Sequence, residues 1–174
     1  MLLNKEKIYY STQISRFYID YKDNSGVIEY IKKLKKIWEQ KDILIIEGQY
    51  SRLGIGNDLF NNTKSIKRII CPSKNAFNVY DKIFDEALKI DKKILILIAL
   101  GPTATILSYD LYKAGYHVID IGHVDIEYEW FLRKAKSKIK IDRKFVNEVK
   151  EGRTEIMEIK DKHYFNQIIA KVLN

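Results

Sequence analysis

The clearest pattern in the sequence is an apolar run from Ile94 to Leu100 that contains no polar position. A strand that is apolar on both sides has to be covered on both faces, which is typical of a parallel sheet flanked by helices. Three other short apolar segments have the composition of strands: Asp42 to Ile46, Arg68 to Cys71 and Val118 to Ile121. We therefore predict a parallel sheet that contains these four segments.

Segments with helical periodicity lie between and around the strands. Pro102, directly after Gly101, and Gly115 mark the two ends of one helix, because proline is favoured in the first turn and glycine after the last. Two consecutive strand–helix–strand units predict an α/β fold, Rossmann-like and doubly wound, with a mostly parallel sheet and helices on both faces. Three other helices are predicted from their apolar positions: Val27 to Trp38, Phe77 to Leu88 with a cap at Ser73, and Lys162 to Leu173. The predicted inward face is Phe77, Tyr80, Phe84 and Leu88 in the second of these helices, and Phe165, Ile168, Ile169 and Val172 in the third.

Length and composition favour one globular domain over residues 1–174, since 174 residues with 46% apolar side chains suffice for a substantial core. The longest apolar run is far shorter than the ~20 residues that cross a bilayer. The segment Met1 to Lys5 becomes charged before a signal sequence can form. A single cysteine, Cys71, excludes an internal disulfide and suits a reducing compartment. We therefore expect a cytoplasmic protein.

Positive charge is concentrated in residues 133–144, where seven basic side chains stand against Asp142 alone, within a chain of net charge +8. Such a segment fits an anionic membrane surface, and so a position at the inner face of the membrane, or a pyrophosphate-linked acceptor. It also fits a solvated basic face or an edge strand protected by alternating lysines. No aromatic residues are interleaved with the charges, so we do not expect nucleic acid as a partner.

Polar and glycine-rich residues follow the predicted strands. In open parallel sheets, ligands bind beyond the carboxyl ends of the strands. Ser73 and Asn75 follow the second strand, and Gly101 and Thr103 follow the third. The turn at Gly101 presents backbone amides at the start of a helix, which suits a phosphate group. We therefore predict that these four residues line a ligand site.

The end of the fourth strand carries the largest set of reactive side chains. If the chain stays extended there, His123, Asp125 and Glu127 project from one side and can hold a divalent cation, since Mg²⁺ and Mn²⁺ favour carboxylate oxygens. In the alternative, Asp125 and Glu127 lie in the first turn of a helix, where acidic residues are favoured. His123 or a carboxylate is the candidate catalytic base, and the sequence does not choose between them.

The loop after the first strand, residues 47–58, is long, and long loops often carry function. Gly54 permits a positive φ or a close backbone approach, and Arg52 can bind phosphate or carboxylate as a fork. We place Arg52, Gly54 and Asn57 near the ligand because they follow a strand end. The alternative is that Arg52 pairs with Asp58 and braces the loop.

Four segments, in this order along the chain, form a recognisable set of motifs: Glu47-Gly48-x-x-Ser51-Arg52-x-Gly54-x-Gly56-Asn57-Asp58-Leu59-Phe60, Arg68-Ile69-Ile70-Cys71-Pro72-Ser73-x-Asn75-Ala76-Phe77, Ala99-Leu100-Gly101-Pro102-Thr103-Ala104-Thr105 and Asp120-Ile121-Gly122-His123-Val124-Asp125-Ile126-Glu127-Tyr128-Glu129-Trp130. They resemble the GT-D type glycosyltransferase family, formerly a domain of unknown function, which is associated with bacterial surface glycans and glycoproteins. The similarity extends over roughly Ile14 to Val149.

The resemblance implies a glycosyltransferase with a UDP-sugar donor, of which UDP-glucose is the best-known case, and a glycan or glycoprotein acceptor. It also implies a divalent cation, Mn²⁺ or Mg²⁺, and a D-x-E motif at the donor diphosphate. That motif falls on Asp125-Ile126-Glu127, so the resemblance favours the metal interpretation. Tyr128 and Trp130 are candidates for stacking on a uracil or sugar ring, with core packing as the alternative.

Two other functions fit parts of the sequence. Family members carry an upstream portion with an Arg-x-Gly-Asp-Gly-Glu-like segment, which Met1 to Ile14 does not match, so a short form that binds a nucleotide sugar but needs a partner or upstream segment is one alternative. A dinucleotide-dependent oxidoreductase is the other. Gly54-Ile55-Gly56 argues against it, because Leu59 stands where the third glycine of that fingerprint belongs. An oligomer is compatible with the sequence.

Overall fold

The structure is a computed structural model that describes residues 6–8, 12–154 and 156–173. Five strands form its centre: β1 (Asp42–Gly48), β2 (Ser65–Cys71), β3 (Leu95–Ala99), β4 (Val118–Asp120) and β5 (Ile168–Lys171). They make one sheet in the order β4-β3-β1-β2-β5, and every neighbouring pair is parallel. The four predicted strands are confirmed, and β5 was not predicted.

Helices cover both faces of this sheet: α1 (Val27–Lys35), α2 (Tyr80–Leu88), α3 (Pro102–Lys113), α4 (Val124–Leu132) and the short α5 (Lys162–Gln167). One core cluster joins the sheet to α2 and α3, and a second joins its other face to α1 and α4. The predicted α/β class, with a parallel sheet and helices on both faces, is therefore confirmed. No helix within the described residues has the length and apolar character needed to span a membrane.

The unbroken apolar pattern of the central strands follows from this layered arrangement. Side chains alternate between the two faces of a strand. In β3, Ile96 and Ile98 pack toward α2 and α3, whereas Leu95 and Leu97 pack toward α1 and α4. All four are essentially inaccessible to solvent. Because water reaches neither face, no position in the strand is left for a polar side chain.

The prediction for the helix that follows β3 is confirmed at both ends. Gly101 is the N-cap of α3 and has a φ of 53°, a conformation that glycine adopts without steric cost. Pro102 begins the helix, and Gly115, with a φ of 88°, follows its end. The turn from β3 into α3 is therefore specified by local sequence, and it lies at the edge of the sheet where the predicted site residues gather.

The C-terminal prediction is wrong beyond the first part of the helix. The α5 helix ends at Gln167, and Ile168–Lys171 pairs with β2 as the fifth strand. Phe165 and Ile169, which were expected to face inward, are exposed, whereas Val172 is buried. The apolar spacing fitted a helix, but the free edge of β2 offers backbone hydrogen bonds that favour a strand.

Two other local predictions need correction. Ser73 does not cap a helix, because α2 begins only at Tyr80, after a 3-10 turn over Ala76–Val79. The buried face of α2 consists of Ile83 and Ala87, whereas Leu88 is partly exposed. Tyr80 and Phe84 are partly buried and pack against the same core, whereas Phe77 is exposed.

A buried ion pair joins three parts of the fold. The Arg68 guanidinium donates to Glu47 at 2.5 Å between neighbouring strands, and both side chains are inaccessible to solvent. Arg68 also donates to the Leu53 carbonyl and to the Gln167 side chain, and it lies 4.9 Å from the Tyr164 ring. Burial raises the pKa of Glu47, and Arg68 opposes that shift. The pair therefore ties the sheet to the loop after β1 and to α5.

Candidate functional site

A cleft of about 560 Å³ lies beyond the carboxyl ends of β1 to β4. Its position follows from the strand order: the chain passes from β1 to β2 on one side and then to β3 and β4 on the other, so the loops after β1 and β3 diverge. Small-molecule sites in proteins have volumes of roughly 300–1,000 Å³. Six of the ten predicted site residues line this cleft: Ser73, Asn75, Gly101, Thr103, His123 and Asp125.

The chain does not stay extended after β4, as the predicted metal site required. His123 is the N-cap of α4, and the helix begins at Val124. Helical residues two positions apart point to opposite sides, so Asp125 and Glu127 do not share a face. The expectation of a single face is wrong, and the alternative of two acidic residues in the first turn of a helix is confirmed. A helix forms because its apolar residues are buried against both the sheet and the following loop.

Asp125 is the centre of a buried polar cluster on the wall of the cleft. One carboxylate oxygen accepts hydrogen bonds from the Gly54 backbone N–H at 2.8 Å and from the Asn57 amide at 2.9 Å. The other accepts from the Lys144 ammonium at 2.6 Å. Asn57 and Lys144 also contact the Glu129 carboxylate, at 2.7 and 3.1 Å. Gly54 and Asn57 therefore lie behind the cleft wall and hold Asp125 in place.

Lys144, at the end of the basic segment, has a structural role that the sequence did not suggest, because it pairs with carboxylates inside the protein. It is 3% exposed, as are Asp125 and Glu129. Burial raises the pKa of Glu129, but the charge of Lys144 and hydrogen bonds from Asn57 and Arg133 outweigh burial and lower it overall. Residues 133–144 form a loop rather than the edge strand considered above. Lys144 is thus an internal counter-ion and belongs to no solvated basic face.

Glu127 lies on the other side of α4 and anchors the segment before α1. One of its carboxylate oxygens accepts the backbone N–H groups of Tyr18 and Ile19, each at 3.0 Å. The other oxygen is buried and has no hydrogen-bond partner among the described residues. Burial raises the pKa of Glu127, and the two backbone bonds oppose that shift. Glu127 therefore fastens the backbone at residues 18 and 19 to α4, and it does not line the cleft.

His123 reaches the cleft as part of a second polar cluster, which the sequence did not indicate. Its Nε2 lies 2.8 Å from Glu148, and Arg16 donates to the same carboxylate oxygen at 2.8 Å. The Arg16 guanidinium also lies 3.3 Å from Nδ1 of His123. Burial raises the pKa of Glu148, but His123 and Arg16 outweigh it and lower the pKa to about 2. The imidazole is therefore held by two charged neighbours.

Arg52 is not brought to the other predicted residues. Its guanidinium donates to the backbone carbonyls of Arg143 and Met157, at 2.7 and 2.6 Å. The alternative pairing with Asp58 is wrong, because Asp58 binds Lys35 at 2.7 Å and Tyr128 at 2.5 Å. Arg52 therefore braces two later loops by means of backbone carbonyls, which carry no signal in the sequence.

The residues present do not fit a single divalent cation shared by the D-x-E motif. Both oxygens of Asp125 already accept hydrogen bonds, one of them from an ammonium group. Glu127 points away from Asp125 and toward residues 18 and 19. Across the part of the chain that the structure describes, no group of three His, Cys, Asp or Glu side chains is arranged to hold a metal ion. Asp125 and Glu127 thus serve two separate structural networks.

The opposite wall of the cleft has the character of an anion site. Gly101 and Thr103 place the first turn of α3 there, where backbone N–H groups of a helix carry partial positive charge. Lys74 and Arg153 are exposed and line the same cleft. Lys74 lies between two predicted site residues, so its position in the sequence was a usable signal. Arg153 follows β4 by more than thirty residues along the chain, so no pattern in the sequence indicated that it lines the cleft.

In open parallel sheets the cleft at the switch point is where ligands bind, and this chain has a polar cleft at that place. Residues 1–149 match the family described as glycosyltransferase GT-D fold, and the chain belongs to that family.

Two curated streptococcal proteins are similar to this chain. It is 48% identical over 166 residues to Glycosyltransferase GlyD of Streptococcus pneumoniae serotype 4, a match that covers 95% of this chain and 20% of that protein. It is 47% identical over 164 residues to Probable glycosyl transferase Gly of Streptococcus gordonii, which covers 94% of this chain and 24% of that protein. The chain therefore spans only about a fifth to a quarter of these relatives.

Solved structures share the fold. A structure of domain of unknown function 1792, described as having a distinct glycosyltransferase fold, is 46% identical with a TM-score of 0.89, over 94% of this chain and 58% of that one. A glycosyltransferase of the same domain type from Streptococcus sanguinis is 45% identical with a TM-score of 0.88, over 93% of this chain and 60% of that one. The fold and the family are therefore established together.

Replacing Lys144 with methionine tests the buried cluster around Asp125. The variant leaves two carboxylates without their cation, and loss of one partner of a buried pair typically costs about 3–5 kcal/mol. We expect a loss of that size in the free energy of unfolding, measured by urea denaturation with tryptophan fluorescence. Lys136→Met is the matched control, because Lys136 is exposed in the same loop. Equal stability of the two variants would contradict the cluster.

The network around Glu148 predicts a dependence of stability on pH. Its pKa is about 2 in the folded chain against an ordinary value of 4.5, so its stabilising contribution is complete above pH 4.5 and is lost as the pH falls toward 2. We expect Glu148→Gln to be less stable than the unchanged chain at neutral pH, with a gap that narrows over that acid range. Unfolding curves at several pH values measure it, with Glu151→Gln as an exposed control. A gap independent of pH would exclude the depressed pKa.

Proposed function

We propose that this chain provides the nucleotide-sugar site of a glycosyltransferase that moves a hexose, glucose in the first instance, from a UDP-sugar to a glycan or glycoprotein acceptor. The observation that carries the proposal is the cleft beyond the strand ends, in a chain that belongs to a glycosyltransferase family. Six residues that were predicted from sequence to line a donor site come together there.

Charge on the cleft wall supports a diphosphate ligand. Lys74 and Arg153 supply positive charge, and the first turn of α3 at Gly101 and Thr103 supplies backbone donors. Such groups stabilise a diphosphate that gains charge as it leaves the sugar. Asp125 alone would repel that diphosphate. Its pairing with the Lys144 ammonium removes this obstacle.

The candidate catalytic base lies at the end of β4, next to the D-x-E motif. His123 is the candidate base with the most suitable position, since its ring is partly exposed in the cleft, whereas Glu127 is buried on the far side of α4. A requirement for Mn²⁺ or Mg²⁺ rests on the family resemblance. The residues present do not fit such a cation, because the Lys144 ammonium already binds one oxygen of the Asp125 carboxylate.

The basic segment, residues 133–144, is the candidate contact for the acceptor or for a membrane surface. Within residues 133–144, the side chains of Lys134, Lys136 and Arg143 are exposed, whereas Arg133 and Lys138 pair with Glu129 and Asp20. An anionic membrane surface on the cytoplasmic side, or a pyrophosphate-linked acceptor, suits the remaining charge. Assembly of the chain into an oligomer is compatible with this arrangement of exposed charge.

A second candidate function is a nucleotide-sugar-binding segment that turns over only with a partner or with upstream residues. The observation that favours this candidate is that the match spans only 58% to 60% of the length of the solved relatives. This candidate predicts binding of UDP without transfer of the sugar.

Calorimetric titration of UDP, with Mn²⁺, with Mg²⁺ and with chelator, tests the proposal. We expect binding that weakens at least about tenfold in Lys74→Ala/Arg153→Ala, because each charge-assisted hydrogen bond is worth about 1.5–3 kcal/mol. The matched control is Lys93→Ala/Lys113→Ala, which removes two exposed charges remote from the cleft.

Turnover of UDP-hexoses then separates the two candidates. Release of UDP from a UDP-hexose supports the enzyme, and binding without turnover supports the incomplete segment. The absence of UDP binding by folded chain in every condition would refute both.

A further inference from the structure

We infer that Phe77 is the stacking platform for the nucleobase of the donor, an assignment that rests on the proposed nucleotide-sugar function. Phe77 lines the cleft, and 56% of its side-chain surface is open to solvent. Covering an exposed apolar ring with a ligand is favourable because it removes apolar surface from water. Every nucleobase has a π face that can stack on such a ring. Because Phe77 lies on the cleft wall, a base that stacks on it would lie within the proposed donor site.

The local backbone holds this ring outside the core. Asn75 adopts a left-handed conformation with a φ of 54°, which turns the chain after β2 into the 3-10 helix Ala76–Val79. The buried members of that short helix are Ala76 and Val79, so they fix it to the sheet while Phe77 remains outside. The exposure of Phe77 is therefore a consequence of how the turn is anchored.

A neighbouring aromatic ring packs beside Phe77. The Tyr80 ring lies 5.2 Å from the Phe77 ring, and it stacks on Phe84 at 6.4 Å with an interplanar angle of 7°. The Tyr80 hydroxyl donates to Asp110 of α3 at 2.5 Å, which fixes its orientation. Such support restricts the movement of Phe77 before a ligand binds, so less conformational entropy is lost on binding.

The other aromatic candidates suit this role less well. Tyr128 and Trp130, which the sequence suggested for stacking, are 4% and 0% exposed. Their polar atoms are also used, since Tyr128 donates to Asp58 and Trp130 donates to the Ile139 carbonyl. Their proposed role in stacking is therefore wrong, and core packing is their role.

Two features next to Phe77 match the rest of a uridine nucleotide. The exposed Asn75 lines the same cleft and offers both a donor and an acceptor, as the edge of a uracil requires. Lys74 supplies a positive charge directly beside it in the chain, which suits the diphosphate. A base on Phe77 and a diphosphate on the charged wall therefore divide the cleft between the two parts of the nucleotide.

The test compares UDP with pyrophosphate, which has no base. We expect Phe77→Ala to weaken UDP binding about tenfold, as loss of one base–aromatic stack does, and to leave pyrophosphate binding unchanged. Phe77→Tyr keeps a π face and should retain UDP binding. Phe165→Ala is the matched control, because Phe165 is similarly exposed, at 46%, on α5. Circular dichroism and thermal melting verify that each variant is folded.

Three results overturn the assignment while the proposed function stands. These are unchanged UDP affinity in Phe77→Ala, an equal loss for UDP and pyrophosphate, and a base-dependent loss in Phe145→Ala instead, since Phe145 also lines the cleft. Failure of the unchanged chain to bind UDP overturns the proposed function, and the stacking assignment with it.

Discussion

The candidate site depends on one buried ammonium group, that of Lys144. Asp125 and Glu129 place two carboxylates inside the protein, and the Lys144 ammonium lies within 2.6 and 3.1 Å of them. Buried charges are tolerated only where counter-ions and hydrogen bonds replace water, and here Asn57 and the Gly54 N–H complete the set. This cluster fixes the start of α4 against the loop after β1, so it defines one wall of the cleft.

Buried charged side chains also fix the other loops that surround the site. Between β1 and β2 the chain runs through residues 49–64 without a helix, and the Glu47–Arg68 pair binds the Leu53 backbone through both its N–H and its carbonyl. Arg52 fastens two later loops through their carbonyls. Long irregular segments thus obtain a defined shape because buried charged groups satisfy their backbone atoms. The cleft is consequently formed by loops whose positions are set from inside the protein.

Much of the fold could be predicted because it is encoded locally. The apolar run of β3 and the Gly101-Pro102 turn specify a covered strand followed by a helix, and both are confirmed. The placement of a site beyond the strand ends follows from topology, and six predicted residues line the cleft. The fold class and the family are likewise confirmed.

What could not be predicted depends on contacts between distant residues. The spacing of Asp125 and Glu127 fits a strand and a helix equally well, and only burial on both sides of α4 decides between them. The pairing of Arg16 with Glu148 joins residues 132 positions apart, and neither has a local motif. The β5 strand forms because β2 has a free edge, which no pattern within β5 reveals.

The contacts of a nucleotide diphosphate with the chain can be located by following backbone amide shifts in a ¹⁵N-labelled sample as UDP is added. We expect the largest shifts at the cleft, at Ser73, Asn75, Gly101 and Thr103, with little change at the amino ends of the strands around Lys93. Shifts confined to the amino ends of the strands, or to residues 133–143, would show that the cleft beyond the carboxyl ends of the strands is not the donor site.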